Sequence, residues 1–175
     1  MTDAVSAPGN LARLHGALAQ LFPDPDVVHR VLNVGCGSFP SARVLRQLFP
    51  SALLLGIDLH ATTWRRAAGL HLIAADAVRL PLAGHVRFDL ILLRHPDVDR
   101  RPAHWREVCA GLPGRLKNGG RILASCYTGH EAAFCRAGIL AAGDVLPISS
   151  ILASPAPPNL AGQDRLLLAF CRGGG

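Results

Sequence analysis

The sequence predicts an α/β fold with a mostly parallel sheet covered by helices on both faces. Three observations carry that prediction. Continuous apolar runs alternate with helical patterns from residue 30 to residue 142, and strands without a polar face belong to sheets buried on both sides. The first run, Val31-Leu-Asn-Val34, enters a Gly35-Cys36-Gly37 turn that opens a helix. After Gly143 the last two strand-like runs are joined by Ser154-Pro-Ala-Pro-Pro-Asn159. No crossover helix fits there, so these two strands should pair antiparallel.

Taken in order, Asn10 to Leu21 has apolar residues at helical spacing, with Asn10 a candidate cap and Pro23 and Pro25 ending the helix. Strands are expected near 30–34, 53–58, 71–75, 88–93, 120–126, 145–153 and 165–171. Helices are expected near 41–49, 61–68, 102–116 and 130–142. Pro40 suits a first helical position, and Asn118-Gly-Gly120 supplies a turn between helix and strand. In domain terms, residues 1–27 are a helix and lead-in, 28–172 one α/β domain, and 173–175 a tail. The length of 175 residues suits one core.

Composition narrows the function classes. Half the residues are apolar, which excludes a disordered chain. No run approaches the roughly 20 apolar residues of a membrane span. No basic start followed by an apolar block marks a secretion signal, so a cytoplasmic protein is expected. Cys36, Cys109, Cys126, Cys135 and Cys171 are scattered without a C-x-x-C pair, so no metal site and no disulfide framework is supported. They read as small buried apolar residues, with a redox-sensitive Cys36 in the turn as the alternative. The formal charge of +6 invites a nucleic-acid partner. Yet Lys117 is the only lysine, and the arginines are spread along an Ala-, Gly- and Leu-rich chain, with short clusters only at Arg65-Arg66 and Arg100-Arg101. Nucleic acid is therefore possible but not favoured.

The strand–glycine turn–helix geometry lets backbone approach a nucleotide-like ligand at the carboxyl edge of a parallel sheet. Gly35 and Gly37 keep that edge bare. Asp58 ends the second strand run, 23 residues past Gly35. That is near the offset at which an acidic side chain meets ribose hydroxyls, although Asp is also a favoured helix cap. A dinucleotide oxidoreductase would want a third glycine where Pro40 stands.

Five segments in this order resemble the class I S-adenosylmethionine-dependent methyltransferases over about residues 28–172. They are Val31-Leu-Asn-Val-Gly-Cys-Gly37, Asp58, Ala74-Ala-Asp-Ala77, Phe88-Asp-Leu-Ile-Leu-Leu-Arg-His95 and Leu116-Lys-Asn-Gly-Gly-Arg-Ile-Leu123. The resemblance implies a three-layer, Rossmann-like sandwich whose seven-stranded, mostly parallel sheet takes its last strand antiparallel. It implies S-adenosyl-L-methionine as cofactor. Asn33, Gly35, Cys36 and Gly37 would surround its methionine part, Asp58 and Leu59 its ribose, Asp76 and Ala77 its adenine, with Arg94 alongside. Two departures stand out. Asn33 replaces the family's usual acidic residue, weakening the grip on the ammonium group roughly tenfold. Phe39-Pro40 replaces the usual third glycine, with Phe39 expected to pack on the sheet.

Methyl transfer needs an in-line arrangement above all, and a base only if the acceptor must lose a proton. His95 is the candidate base, since its ordinary pKa lies near neutrality. Otherwise His95-Pro96 is a loop bend, with Arg94 paired to Asp97 or Asp99. Tyr127 and His130 are candidate walls of an acceptor pocket, while Thr128 and Glu131 form a capping box. The Arg94-His95-Pro96 segment lacks the Asn-Pro-Pro-Tyr signature of nucleobase amino-group methylators. Little chain remains to build an acceptor site, so a small-molecule acceptor is favoured, with a pocket completed by another subunit or copy as a possibility. A non-catalytic or partner-dependent cofactor-binding subunit, or an RNA methyltransferase, is the alternative. Trp64 and Arg65-Arg66 face solvent or a partner.

Overall fold

The computed structural model describes residues 8–61, 70–148 and 166–173. Seven strands form one sheet in the order β3-β2-β1-β4-β5-β7-β6. They are β1 Arg30–Val34, β2 Leu53–Asp58, β3 Leu70–Ala74, β4 Phe88–Arg94, β5 Leu116–Cys126, β6 Val145–Pro147 and β7 Leu166–Arg172. The first five run parallel. β7 lies antiparallel between β5 and β6, as the sequence led us to expect. The helices are α1 Pro8–Leu21, α2 Ala42–Leu48, α3 Pro102–Gly111 and α4 Gly129–Leu140.

The core divides between the two sheet faces. Leu14 and Leu18 of α1 and Leu45 of α2 pack with Val31, Leu54, Leu90 and Leu92 on one face. Val108 and Cys109 of α3 and Cys135 and Ile139 of α4 pack with Leu32, Leu55, Ile91 and Ile122 on the other. Alternate residues of the same strands serve opposite cores, which explains why β1, β2 and β4 carry no polar face. The lone lysine is structural. Lys117 Nζ lies 2.7 Å from Asp89 Oδ1, and Asp89 Oδ2 also accepts from the His29 and Arg30 amides.

Four boundaries differ from expectation, each for a local reason. α1 starts at Pro8, so Asn10 falls inside its first turn instead of at the cap. Pro40 precedes the helix start, because Ser41 is the N-cap and α2 begins at Ala42. The third helix stops at Gly111, and Pro113–Arg115 forms a separate 3-10 turn. The long apolar periodicity of 102–116 therefore runs from α3 across a break at a proline, through the 3-10 turn, into the first residue of β5. Asn118-Gly-Gly120 is not a helix–strand turn but lies inside β5, where the pairing with β4 jumps from Phe88↔Leu116 to Leu90↔Arg121. Gly119 takes φ +74, and a Cβ on Gly120 would sit 2.9 Å from both the Lys117 and Phe88 carbonyl oxygens. Only glycine permits that bulge.

The helix expected at 61–68, with Trp64, Arg65 and Arg66, falls on residues 62–69 for all but its first residue, outside the described residues. So do 149–153 of the sixth strand segment and the proline-rich loop 154–159. The described helices are not long and apolar enough to cross a membrane.

Candidate cofactor site

The carboxyl edges of β1, β2 and β4 meet at the glycine turn. Gly35 takes φ +63 and Gly37 φ +51, values in which a side chain is strained. The Gly35 and Cys36 amides donate to the Ile57 carbonyl at 2.8 and 3.1 Å, which ties the turn to the end of β2. Asp58 completes the tie. Its Oδ2 accepts from the Gly37 amide at 3.0 Å and its Oδ1 from the His60 amide at 2.8 Å. Asp58 thus orders the local turn, and each of its oxygens retains a further lone pair.

Phe39 also has a positive φ, +60, and its ring is buried on the sheet face with Leu54 and Leu90, as the sequence led us to expect. Strain at a non-glycine residue is held by that burial. Gly56 in β2 lies directly underneath. A Cβ there would come within 2.7 Å of Cys36 Sγ and Leu72 Cδ2 and 2.9 Å of Phe39 Cδ1. The turn thus rests on a bare patch of the neighbouring strand.

Two cavities flank Gly35. One, of about 130 Å³, is walled by Gly35, Asp58, Leu59, His60, Ala75 and Ala77, and by Arg101, His104 and Trp105 from the start of α3. The other, of about 160 Å³, is walled by Asn33, Gly35, Cys36, Gly37, Pro40, Ser41, Arg94 and His95. The expected site residues separate accordingly. Asp58, Leu59 and Ala77 share the first cavity, while Asn33, Cys36, Gly37, Arg94 and His95 share the second. Asp76 stands beside the first without walling it: its Oδ1 accepts from the Val78 amide at 2.9 Å and lies 3.7 Å from His104 Nδ1.

Arg94 and His95, at and just after the end of β4, complete the second cavity. His95 takes φ +49 just after β4, and its ring stacks on Tyr127 with centroids 3.6 Å apart and planes 12° apart. Glu131 Oε2 accepts from the Tyr127 amide at 2.8 Å, and Thr128 Oγ1 accepts from the Glu131 amide at 3.1 Å. The capping pair therefore exists, and its carboxylate also fixes the residue that carries the stack. His130 turns away to Asp99 at 3.5 Å, both exposed. Asp97 faces Arg100 at 3.8 Å.

Cys36 is a buried thiol. Burial first, and the Asp58 charge second, push its pKa up from 9.0 to about 12. A thiol needs its anion to react, so the redox-sensitive reading of Cys36 finds no support. Because the folded-state pKa is raised, the protonated thiol contributes stability below pH about 9, and that contribution is lost as pH rises toward about 12. Denaturant unfolding across that window should show wild type losing up to about 1.4 kcal/mol per pH unit more than Cys36→Ala. Parallel pH dependence of the two proteins would refute it.

Sequence reasoning missed Trp105, His104, Arg101 and Ser41. Trp105 is the most consequential, since its Cη2 stands 3.2 Å from where a Gly35 Cβ would be. Its indole covers the turn between the two cavities.

No family model and no curated protein matches the chain. Solved structures do. The amino pentose methyltransferase CalS10 from Micromonospora echinaspora superimposes with TM-score 0.71 at 16% identity, over 94% of this chain and 90% of that one. The N-methyltransferase NodS from Bradyrhizobium japonicum gives 0.67 at 14%, over 96% and 99%. The 1,6-didemethyltoxoflavin-N1-methyltransferase from Burkholderia thailandensis gives 0.66 at 19%, over 99% and 80%. The chain, with its seven-stranded sheet and reversed β7, therefore shares the Rossmann-like fold of these methyltransferases.

Proposed function

We propose that the protein binds S-adenosyl-L-methionine across Gly35 and transfers its methyl group to a small-molecule acceptor. One observation carries the reading: two cavities share a bare Gly35, with an ordered Asp58 carboxylate in one and a buried Asn33 acceptor in the other. Asn33 Oδ1 is buried and makes no hydrogen bond, while its Nδ2 donates to Ser41 Oγ at 3.0 Å. A buried acceptor left open is costly unless a ligand fills it. Asp58 would take the ribose hydroxyls, Leu59, Ala75, Ala77 and Trp105 would enclose the base, and the Asn33–Arg94 cavity would take the amino-acid tail.

The cofactor supplies an activated methyl group, and the chain supplies alignment and shelter from water. His95, stacked flat on Tyr127 just after β4, is the candidate to receive a proton from an acceptor once one of its buried ring nitrogens is exposed. Several of the structural neighbours act on sugars or other small molecules by their names, which supports a small acceptor here. Calorimetric titration with S-adenosylmethionine and S-adenosylhomocysteine tests the reading, and no heat with either ends it. His95→Ala should lower turnover at least about 100-fold, a usual contribution of a general base, with S-adenosylhomocysteine affinity changed less than about threefold. Unchanged turnover would make His95 structural.

The partner-dependent, non-catalytic subunit is the second reading. Both His95 ring nitrogens are buried in this state, which favours a site that opens only with a partner or acceptor. Trp105 gives the first assay. In a Trp64→Phe background, cofactor titration should change the emission of the remaining indole, and a flat response would remove Trp105 from the site.

A further inference from the structure

Cysteines scattered along the sequence converge in the fold. Cys109 comes from α3, Cys126 from the end of β5 and Cys135 from α4. All three are fully buried free thiols, packed in one core with Val108, Ile139 and Phe170. Cys135 stands in the middle, its thiol hydrogen-bonded to those of both Cys109 and Cys126. The helices meet closely here. A Cβ on Gly138, one turn beyond Cys135, would lie 2.7 Å from Cys109 Cβ and 3.8 Å from its Sγ, so the bare Gly138 lets α4 press on α3 at Cys109. A disulfide needs Cβ atoms about 3.5–4.5 Å apart, a separation that such closely pressed helices can supply. We propose that Cys109 and Cys135 are an oxidation site that closes to an intramolecular disulfide with hydrogen peroxide as oxidant, with Cys126 as the alternate partner of Cys135. The site is independent of the cofactor reading.

The arrangement also selects which sulfur reacts first. Two S–H donors turned on one sulfur favour its anion over its neighbours'. Cys109 first, and Cys126 second, lower the Cys135 pKa against the opposing effect of burial, while the Cys109 and Cys126 thiols are pushed up. Cys135 is therefore the nucleophile. Peroxide is small and neutral, and local opening of α4 admits it. The Cys135 thiolate attacks one peroxide oxygen, the O–O bond breaks, and the departing hydroxide takes up the proton that Cys135 lost, leaving a sulfenic acid and one water. The Cys109 sulfur then attacks the Cys135 sulfur. Its proton leaves with the sulfenic hydroxyl as a second water, and the S–S bond forms. Two thiols have lost two electrons and the peroxide has gained them. The bond ties α3 to α4 one turn from Trp105, which packs against this same core.

The test treats the full chain with hydrogen peroxide, alkylates remaining thiols under denaturing conditions and maps the peptides by mass spectrometry without reduction. The Cys109 and Cys135 peptides should be joined within one monomer. The thermal midpoint should rise by about 5–10 °C, since the crosslink constrains the unfolded chain, and dithiothreitol should reverse both changes. Cys126→Ala should keep the link, Cys109→Ala should move it to Cys126, and Cys135→Ala should lose both the link and the rise in midpoint. Cys171, half-buried and outside this core, reports that oxidant was present. Oxidised Cys171 beside three intact core thiols overturns the proposal. So do crosslinks between monomers alone, a midpoint that falls on oxidation, or Cys135 carried to sulfinic acid without a link. A wild-type link from Cys135 to Cys126 in place of Cys109 overturns the choice of pair. Mapping of the wild-type protein decides the matter even where a variant fails to fold.

Discussion

Asp58→Ala should weaken S-adenosylhomocysteine binding about 100-fold or more. A charged acceptor contributes about 1.5–3 kcal/mol per hydrogen bond, and two ribose hydroxyls would lose theirs together. The carboxylate does a second job in the free protein, because it holds the Gly37 and His60 amides at 3.0 and 2.8 Å. Removing it leaves the turn less ordered, at a stability cost of about 1–2 kcal/mol, similar to loss of a helix cap. The two effects separate in Asp58→Asn. The amide oxygen can still accept one backbone bond, so stability should recover by about half, while affinity stays about tenfold below wild type. Calorimetry reads the affinities and denaturant unfolding the stabilities. Wild-type affinity in a folded Asp58→Ala protein would restrict this residue to ordering the turn.

Much of this arrangement was legible in the sequence, because the strands that build it are buried on both faces. Val31–Val34, Leu53–Ile57 and Phe88–Leu93 announce themselves as unbroken apolar runs, and their ends place Gly35, Asp58 and Arg94 on one edge. The antiparallel β7 was expected from the proline-rich sequence at 154–159. Element ends were harder to read. The apolar spacing of α3 continues through Leu112 and Leu116, yet Leu116 belongs to β5, since one buried residue serves either element equally well. The double glycine at 119 and 120 signals a tight backbone but not whether it bends a loop or bulges a strand. Trp105 was not legible at all: its helical spacing marks a core residue, and only the crossing of α3 over the sheet edge brings the indole to Gly35. Asp76 shows the converse. Its position was read from order in the chain, but its carboxylate turns to the Val78 amide and His104, a choice made by the 3-10 turn at Ala77–Arg79.

Gly56 had a signal that went unread, since a glycine inside a strand marks close approach by another group. Gly56→Ala should therefore be the most damaging methyl addition in the chain's binding half, costing about 2–3 kcal/mol, at the upper end of the range for overpacking. The new Cβ would meet Cys36 Sγ, Leu72 Cδ2 and Phe39 Cδ1 all within 3.0 Å. Leu72 lies on the edge strand and can swing aside. Cys36 and Phe39 cannot do so freely, because the first is bound through its amide to Ile57 and the second sits at φ +60. The strain should pass into the glycine turn, lowering cofactor affinity about tenfold together with stability, although residue 56 itself touches no ligand. For a domain of this size the thermal midpoint should fall by roughly 5–10 °C. A double-mutant cycle decides whether the turn carries the effect. Cys36→Ala removes the sulfur that the methyl would strike, so the pair Gly56→Ala/Cys36→Ala should be more stable than the sum of single changes by about 1 kcal/mol or more. It should also regain part of the lost affinity. Simple additivity would mean that Leu72 and Phe39 absorb the methyl, and that the turn's position does not depend on the bare strand beneath it.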